Sequence, residues 1–501
     1  MAADRKSGSF VGHAATYAIG NIARSIVGFA MLPIYTRFLT PADYGVIALL
    51  TFALALLEPL FGARLGRAIP KFYFEATDAR GRRTVIWGAL GLTSAVSTVS
   101  MLLLMVFSAS GSELLFGAHK YALVLGLFAV NLLTRPLEAM GMTYLRLRER
   151  SRLFLVISML KLLVQIALNL LLVVYWRDGV VGVVLSGIIS SAALGIGLVA
   201  YIAAYEAPAF DWRITRDMLK FCWPLWLAGL AGLYVGSSGA MYLRAFDSLS
   251  DVGRLELAVK FATAVGMLIW GPFFQHWEPM SYRYYKEVDG KRKFQVAFIG
   301  ISTLMFVVGL GISIFSQLVI RLMAAKSFFA ASGIVPLLTL GFILNSLRSF
   351  FNFSFLVTGR TKIQSLCLYG TAIIITVSYL ALIPPFGLLG AAVGLCLTFA
   401  ASFVYVWLIS RRYYDPGFNL TPIVFFASIG SVTYIFSNVL FHTSNPVFDL
   451  LIKSLALLTA AIFMAIIGIR AIRSVDASAF ENLPWPLDRL NCVRFGRQPE
   501  A

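Results

Sequence analysis

Residues 37–49 read RFLTPADYGVIAL, and residues 245–257 read AFDSLSDVGRLEL. The second stretch repeats the first at an offset of 208, pairing Phe38 with Phe246, Asp43 with Asp251 and Gly45 with Gly253. The offset persists along the chain. Pro70, Tyr73, Gly81 and Arg83 pair with Pro279, Tyr282, Gly290 and Arg292 at 209, and DGVVGVVLSG (178–187) pairs with FGLLGAAVGL (386–395) at 208 again. Each match alone is weak, because connections between apolar segments resemble one another. A nearly constant offset held over about 150 residues is the mark of an internal duplication.

Composition says what is duplicated. The chain has 501 residues, 59% hydrophobic and 13% charged, with a mean hydropathy of +0.81, whereas a soluble domain carries about 25% charged residues. Water cannot solvate so much apolar surface, so lipid must be the solvent for much of it. A span needs about 20 mostly apolar residues, which places helices near 14–36, 44–66, 84–107, 120–142, 153–175, 181–205, 221–245, 252–278, 294–320, 330–357, 363–385, 387–409, 421–443 and 446–470. Six spans fill each repeat. Six is even, so both copies enter the membrane from the same side, and the repeat is parallel about an axis along the membrane normal. The expected fold is an all-α polytopic membrane protein of about fourteen transmembrane helices. It comprises an N-terminal six-helix bundle (1–210) and a C-terminal one (211–415) around a central cavity, then helices 13 and 14 (416–473) and a tail (474–501).

The net charge of +18 would suit nucleic acid, but the basic residues sit in short clusters between apolar spans. That pattern reads as membrane topology, with no nucleic-acid partner. With the N-terminus inside, the N-terminal segment, six alternate loops and the tail hold 28 Lys and Arg, the opposite loops 8, and the spans the last six of 42. Both termini are therefore expected in the cytoplasm. Asn21 and Arg24 interrupt the first apolar stretch and no small-residue cleavage site precedes Pro33, which reads as a retained signal anchor. Cys222, Cys367, Cys396 and Cys492 form no CxxC pair and carry no disulfide or metal signal.

Charges inside spans are the candidate functional residues, since each costs about 2.5–3.5 kcal/mol to insert and faces a wet cavity or a partner. The basic ones are Arg24, Arg64, Arg135, Lys161, Lys260 and Arg348; the acidic ones are Glu58, Glu138, Glu256 and Glu278. Arg135 with Glu138, and Glu256 with Lys260, have the spacing of local helix pairs. Arg64 and Glu278 lie near enough to the cytoplasmic end to snorkel. Lys161 and Arg348 are roughly 12–14 Å deep, and Arg24 is roughly 15 Å deep. Glu58 is the nearest neutraliser of Arg24, so a structural bridge and a ligand role both stand. The cationic excess suits an anionic ligand such as a phosphate. The substrate-cavity candidates are thus Arg24, Glu58, Arg64, Arg135, Lys161, Lys260 and Arg348. Prolines within spans, among them Pro136 and Pro336, fit the bent helices of transporters.

No phosphate loop, no H-E-x-x-H, no D-x-D and no G-x-S-x-G occurs, and the chain is read as a transporter, not an enzyme. LPIYTRFLTPADYGVIALL (32–50), IPKFYFE (69–75), TGRTK (358–362) and IPPFGLLGAAVGL (383–395) resemble the polysaccharide-flippase family. These are Wzx-type exporters of O-antigen or exopolysaccharide units, within the multidrug/oligosaccharidyl-lipid/polysaccharide exporter superfamily. The resemblance covers about residues 10–410. It implies a V-shaped cavity between two six-helix bundles in the cytoplasmic (inner) membrane. Through it a polyprenyl-pyrophosphate-linked oligosaccharide would cross by alternating access, without a cofactor, driven by a proton or sodium gradient. It also implies polysaccharide polymerase and export machinery as partners. Family members often carry an Asp-Arg pair late in helix 7, where this chain has Gly239 and Ala240, so no helix-7 charge role transfers. Arg24 is the residue carried over as cavity cation. A drug/cation antiporter and a lipid II flippase are sibling readings. A membrane glycosyltransferase, ligase or polymerase is the reading from another class, against which the short outer loops and the missing acidic motif argue.

Overall fold

The computed structural model describes residues 31–61, 65–441 and 445–476. Arg24, Arg64, Cys492 and most of the expected first span lie outside the described residues. Those described form helices and connections, without a strand. The first repeat runs through α1 (Leu32–Phe38), α2 (Pro41–Phe61), α3 (Ile69–Glu75), α4 (Ala79–Val106), α5 (Ser108–Phe116) and α6 (Ala122–Ala129). It continues through α7 (Asn131–Leu147), α8 (Ser151–Asn169, extended by a wider turn to Tyr175) and α9 (Gly179–Tyr205). The second comprises α10 (Trp212–Ser237), α11 (Gly239–Phe246), α12 (Leu249–Val265), α13 (Gly271–Tyr284), α14 (Gly290–Met323), α15 (Val335–Val357) and α16 (Thr361–Ser410). Two further helices, α17 (Thr421–Ile435) and α18 (Pro446–Val475), follow.

Ten stretches among the described residues are long and apolar enough to cross a membrane. One is the 50-residue α16, which holds both expected spans 363–385 and 387–409 on either side of Gly387 (φ 51°, ψ −126°). The expected spans 221–245 and 421–443 fall on α10–α11 and α17 but are not among the ten, so fourteen remains the reading of the sequence. On α8, Val156, Leu160 and Leu163 recur on one face and are 62%, 59% and 63% exposed. A row of bare aliphatic side chains at helical spacing has lipid as its neighbour.

The repeat has a physical cause at two of its three motifs. Thr40 and Asp43 cap α2 reciprocally: the Thr40 backbone N–H donates to Asp43 Oδ2 at 3.0 Å and the Asp43 N–H to Thr40 Oγ1 at 3.2 Å. Ser248 and Asp251, both 208 residues on, cap α12 in the same family of contacts, at 3.1 Å from the Asp251 N–H to Ser248 Oγ and 2.8 Å between side chains. These are capping boxes, which set where each helix starts. Two residues further, Gly45 and Gly253 bring the two helices into backbone contact. A Cβ on Gly45 would lie 2.1 Å from the carbonyl oxygen of Leu249, and one on Gly253 would lie 1.9 Å from that of Pro41. Leu249 is itself Pro41 plus 208, so the contact is reciprocal, as a two-fold relation between repeats requires. The third motif's Gly179 (φ 55°) and Gly387 (φ 51°) each adopt the positive-φ backbone that glycine takes without a Cβ penalty, and each stands at the start of the expected span that follows.

The largest apolar cluster straddles this crossing, with Val46, Leu49 and Leu50 of α2 packed with Val252, Leu257 and Ala258 of α12. A second cluster is largely aromatic and belongs to the second repeat and the final helices. There Phe298 and Trp277 pack on Phe350, and Phe418 packs on Phe298.

Candidate functional site

α7 is the wall on which the site is built. Arg135, Glu138, Met142 and Arg146 recur at helical spacing and form one face; Pro136, Ala139 and Thr143 form the next. Pro136, inside the helix, has no N–H to donate and so frees a backbone carbonyl beside the charged face. On the charged side lies a cavity of about 370 Å³ lined by Glu58, Arg135, Glu138, Arg146, Lys161 and Gln165. On the other side lies one of about 750 Å³, whose far wall is α10 with Trp226, Gly229 and Gly232 and whose rim includes Phe74 and Glu149. Ala139 and Arg146 line both, so α7 separates a polar recess from a roomier, more apolar chamber.

Within the recess Lys161 Nζ donates to Glu138 Oε2 at 2.5 Å, with the two side chains 20% and 15% exposed. The spacing of Arg135 and Glu138 had suggested a pair within α7. The observed bond instead crosses from α7 to α8, because Lys161 aims its amine into the recess where the carboxylate already points. Glu58, near the end of α2, is 5% exposed and lines the same recess. Three of the seven candidates, Glu58, Arg135 and Lys161, are thereby brought together.

Lys260 and Arg348 are elsewhere. Glu256 and Lys260 interact electrostatically along α12, as their spacing suggests, and Lys260 Nζ also hydrogen-bonds the hydroxyl of Tyr44 on α2, 4.8 Å from that ring's centroid. Tyr35 is also within electrostatic reach. A long lysine stem reaches a neighbouring helix as easily as its own, and the phenol adds a cation–π contact. Arg348 on α15 donates from Nη1 to Thr371 Oγ1 on α16 at 3.3 Å. Arg24 and Arg64 lie outside the described residues. At Gly239 the room is filled from outside, since a Cβ there would meet the Tyr379 hydroxyl at 2.9 Å.

Two features were not anticipated from sequence. Lys453, only 2% exposed, pairs at 2.8 Å with Asp449 one turn earlier; it lies within the expected span 446–470 but is not one of the six span cations. Asp449 at the i−4 position was the available signal. Glu206, at the end of α9, gathers the Arg83 and Arg148 guanidinium groups at 3.4 and 3.5 Å and accepts from the Tyr144 hydroxyl at 3.0 Å. No periodicity connects these positions.

At the opposite end of the molecule, contacts join the two repeats. Arg244 of α11 donates through Nε and Nη2 to the carbonyl oxygen of Phe116, at 3.0 and 2.6 Å. The Thr36 hydroxyl donates to that of Met323 at 3.0 Å, and the glycine crossing lies on the same side. The two cavities lie toward the end that carries Arg148, Arg292 and Arg360.

Comparison with known proteins places this architecture. The family model described as "Polysaccharide biosynthesis protein" matches residues 11–285. No curated protein sequence matches the chain. Among solved structures, the lipid II flippase MurJ in an inward closed conformation superposes with a TM-score of 0.69 at 14% identity, covering 92% of this chain and 98% of that one. An inward-facing multidrug resistance MATE family transporter of the MOP superfamily gives 0.62 at 15% identity over 79% of this chain and 97% of that one. A MATE protein in the straight conformation gives 0.55 at 16% identity over 81% and 95%. At such identities the likeness is one of fold.

Proposed function

The chain belongs to the polysaccharide biosynthesis protein family, and on that footing we propose that it is a flippase. Its substrate in this reading is a polyprenyl-pyrophosphate-linked oligosaccharide, an O-antigen or exopolysaccharide repeat unit. The unit crosses the cytoplasmic membrane from the inner to the outer leaflet by alternating access. The observation that carries this is the polar recess of α7 beside a chamber of about 750 Å³ in a multi-pass helical fold. A diphosphate and its sugars cannot cross hydrocarbon unsolvated. The recess offers guanidinium and ammonium groups for the phosphate oxygens, and the chamber offers room for the sugars, while the polyprenyl chain stays in lipid.

The arginine-rich end is the cytoplasmic one by the positive-inside rule, so the cavities face the leaflet where such a unit is made. The substrate leaves as it entered, with no bond made or broken, so the protein is not an enzyme. A polymerase and export machinery act on the delivered unit as partners. Excess cationic groups favour this substrate over the cationic drugs of an antiporter. The reading is tested with purified protein in liposomes and a fluorescent lipid-linked oligosaccharide: accelerated movement between leaflets with unchanged chemical structure is expected. No acceleration, or a new glycosidic or phosphoester bond, overturns it.

A further inference from the structure

The two halves have matching central turns, 210 residues apart, where Glu149 (φ 54°) and Gly359 (φ 69°) both have positive φ and the next N–H bonds back to Leu145 and Phe355. Glu138 lies eleven residues before the first turn and Arg348 eleven before the second; Lys161 lies twelve after the first and Thr371 twelve after the second. The side chains so related make the same contact in each half. Glu138 meets Lys161 in the first, and Arg348 meets Thr371 in the second. An acid–base pair in one half is thus matched, at the same depth, by a guanidinium facing a hydroxyl in the other.

Among the described residues Arg348 forms no ion pair, and its electrostatic neighbours are the Tyr405 phenol and the Cys367 thiol. Its Nε is buried without a hydrogen-bond partner, as is the side-chain oxygen of Asn345 one turn earlier; the two ends of an Asn amide exchange by a flip. Thr371 Oγ1 and the Tyr405 hydroxyl lie 2.6 Å apart beside it. Arg348 is half-buried, so it is not sealed off. Arginine cannot shed its charge, and a guanidinium held within a span calls for an anion. Cys367 is followed by Leu368, which packs at 4.0 Å from where a Gly232 Cβ would stand, and Gly232 lines the large chamber. Thr371 therefore stands one turn along α16 from a side chain that faces the chamber's glycine wall.

We propose that Arg348, with Thr371, Tyr405 and the Asn345 amide, is a phosphate-binding site in the second half, the counterpart by repeat of the Glu138–Lys161 pair. It rests on the flippase reading in taking the diphosphate of the lipid-linked substrate as its ligand. The asymmetry favours Arg348 over its counterpart for the diphosphate, since among the described residues no acid pairs with Arg348, whereas Lys161 is held by Glu138.

The test titrates farnesyl diphosphate, inorganic pyrophosphate and farnesol into the full-length protein in phosphatidylcholine nanodiscs, with a parallel set containing phosphatidylglycerol. Both diphosphates should bind and farnesol should not depend on Arg348. R348Q should weaken diphosphate binding about tenfold or more, and R348K less, because a charge-assisted bidentate contact is lost only in part. T371D rebuilds in this half the acid–base pairing of the first without adding volume. It should fold at least as well as wild type and still lose the affinity, which separates binding from folding. Unchanged diphosphate affinity in both R348Q and T371D overturns the site, and so does an Arg348 effect confined to phosphatidylglycerol. If wild type moves no lipid-linked glycan in liposomes while Arg348-dependent diphosphate binding persists, the flippase reading fails and the site stands. Movement at wild-type rate by both variants with unchanged affinity removes the site and leaves the flippase.

Discussion

Gly45→Ala puts one methyl group where the structure has none to spare. Its Cβ would stand 2.1 Å from the Leu249 carbonyl oxygen and 3.2 Å from the Gly253 nitrogen. Both neighbours are backbone, so no rotamer can yield, and α2 and α12 must part by roughly 1 Å to restore van der Waals contact. A gap of that size forfeits a quarter to a half of the dispersion energy of each facing atom pair, and the flanking Val46, Leu49, Val252 and Leu257 are all fully buried. Overpacking of this kind costs about 1–3 kcal/mol, and the better helix propensity of alanine returns up to about 1 kcal/mol. A net loss of about 1–2 kcal/mol is expected on those terms. Gly253→Ala should behave alike, with its Cβ 1.9 Å from the Pro41 oxygen. The double variant should cost less than the sum, because the first separation makes room for the second methyl. Gly229→Ala on α10 is the control, as a Cβ there meets nothing within 4 Å. Thermal unfolding of the purified proteins in one detergent measures all four. If Gly45→Ala melts with Gly229→Ala, or the two crossing variants add, the backbone contact between repeats is not as described.

Glu138→Gln removes the carboxylate that Lys161 contacts within a largely buried recess. It should cost about 2–3 kcal/mol, less than the 3–5 of a fully buried pair, with Glu138→Gln/Lys161→Met recovering most of it in a double-mutant cycle. Additivity within about 0.5 kcal/mol would dismiss the pair. Gly387→Ala should destabilise by about 1 kcal/mol or more through its positive-φ backbone and by crowding the Asp247 carboxylate 2.6 Å from the new Cβ; the melting temperature checks it. Cys492 should resist an impermeant thiol reagent in intact cells and react after lysis, because the tail carries Arg489, Arg494 and Arg497 on the cytoplasmic side. Labelling in intact cells would reverse the assigned orientation.

The duplication was legible because its motifs are local. A Thr or Ser three residues before an Asp caps its own helix start, and a positive-φ glycine makes its own turn, so the same letters recur wherever the same backbone does. The charge partners on other helices were not legible. Glu138 and Lys161 are 23 residues apart on different helices, and Lys260 meets Tyr44 across 216 residues. Spacing along one helix reveals only the pairs that one helix could make, so it could not show that Glu138 bonds Lys161 or that Lys260 also bonds Tyr44. Gly45 was visible as a repeated letter, but its reason, a facing carbonyl from the other repeat, belongs to the packed pair.

The Lys453–Asp449 pair bears on how the protein is made. α18 is the most apolar of the ten stretches, yet it carries a lysine about 10 Å from its start. A lysine whose counter-ion sits one turn away on the same helix is neutralised before any neighbour arrives, so the cost of admitting it to lipid falls. α18 can therefore leave the insertion machinery as a finished unit. α15 cannot: between Val335 and Val357 it holds Arg348 and no acidic residue. Its companion hydroxyl at Thr371 belongs to α16, the next helix to be synthesised. Stable residence of α15 in the bilayer thus waits on α16, and biogenesis of this region should proceed by pairs of helices instead of one at a time.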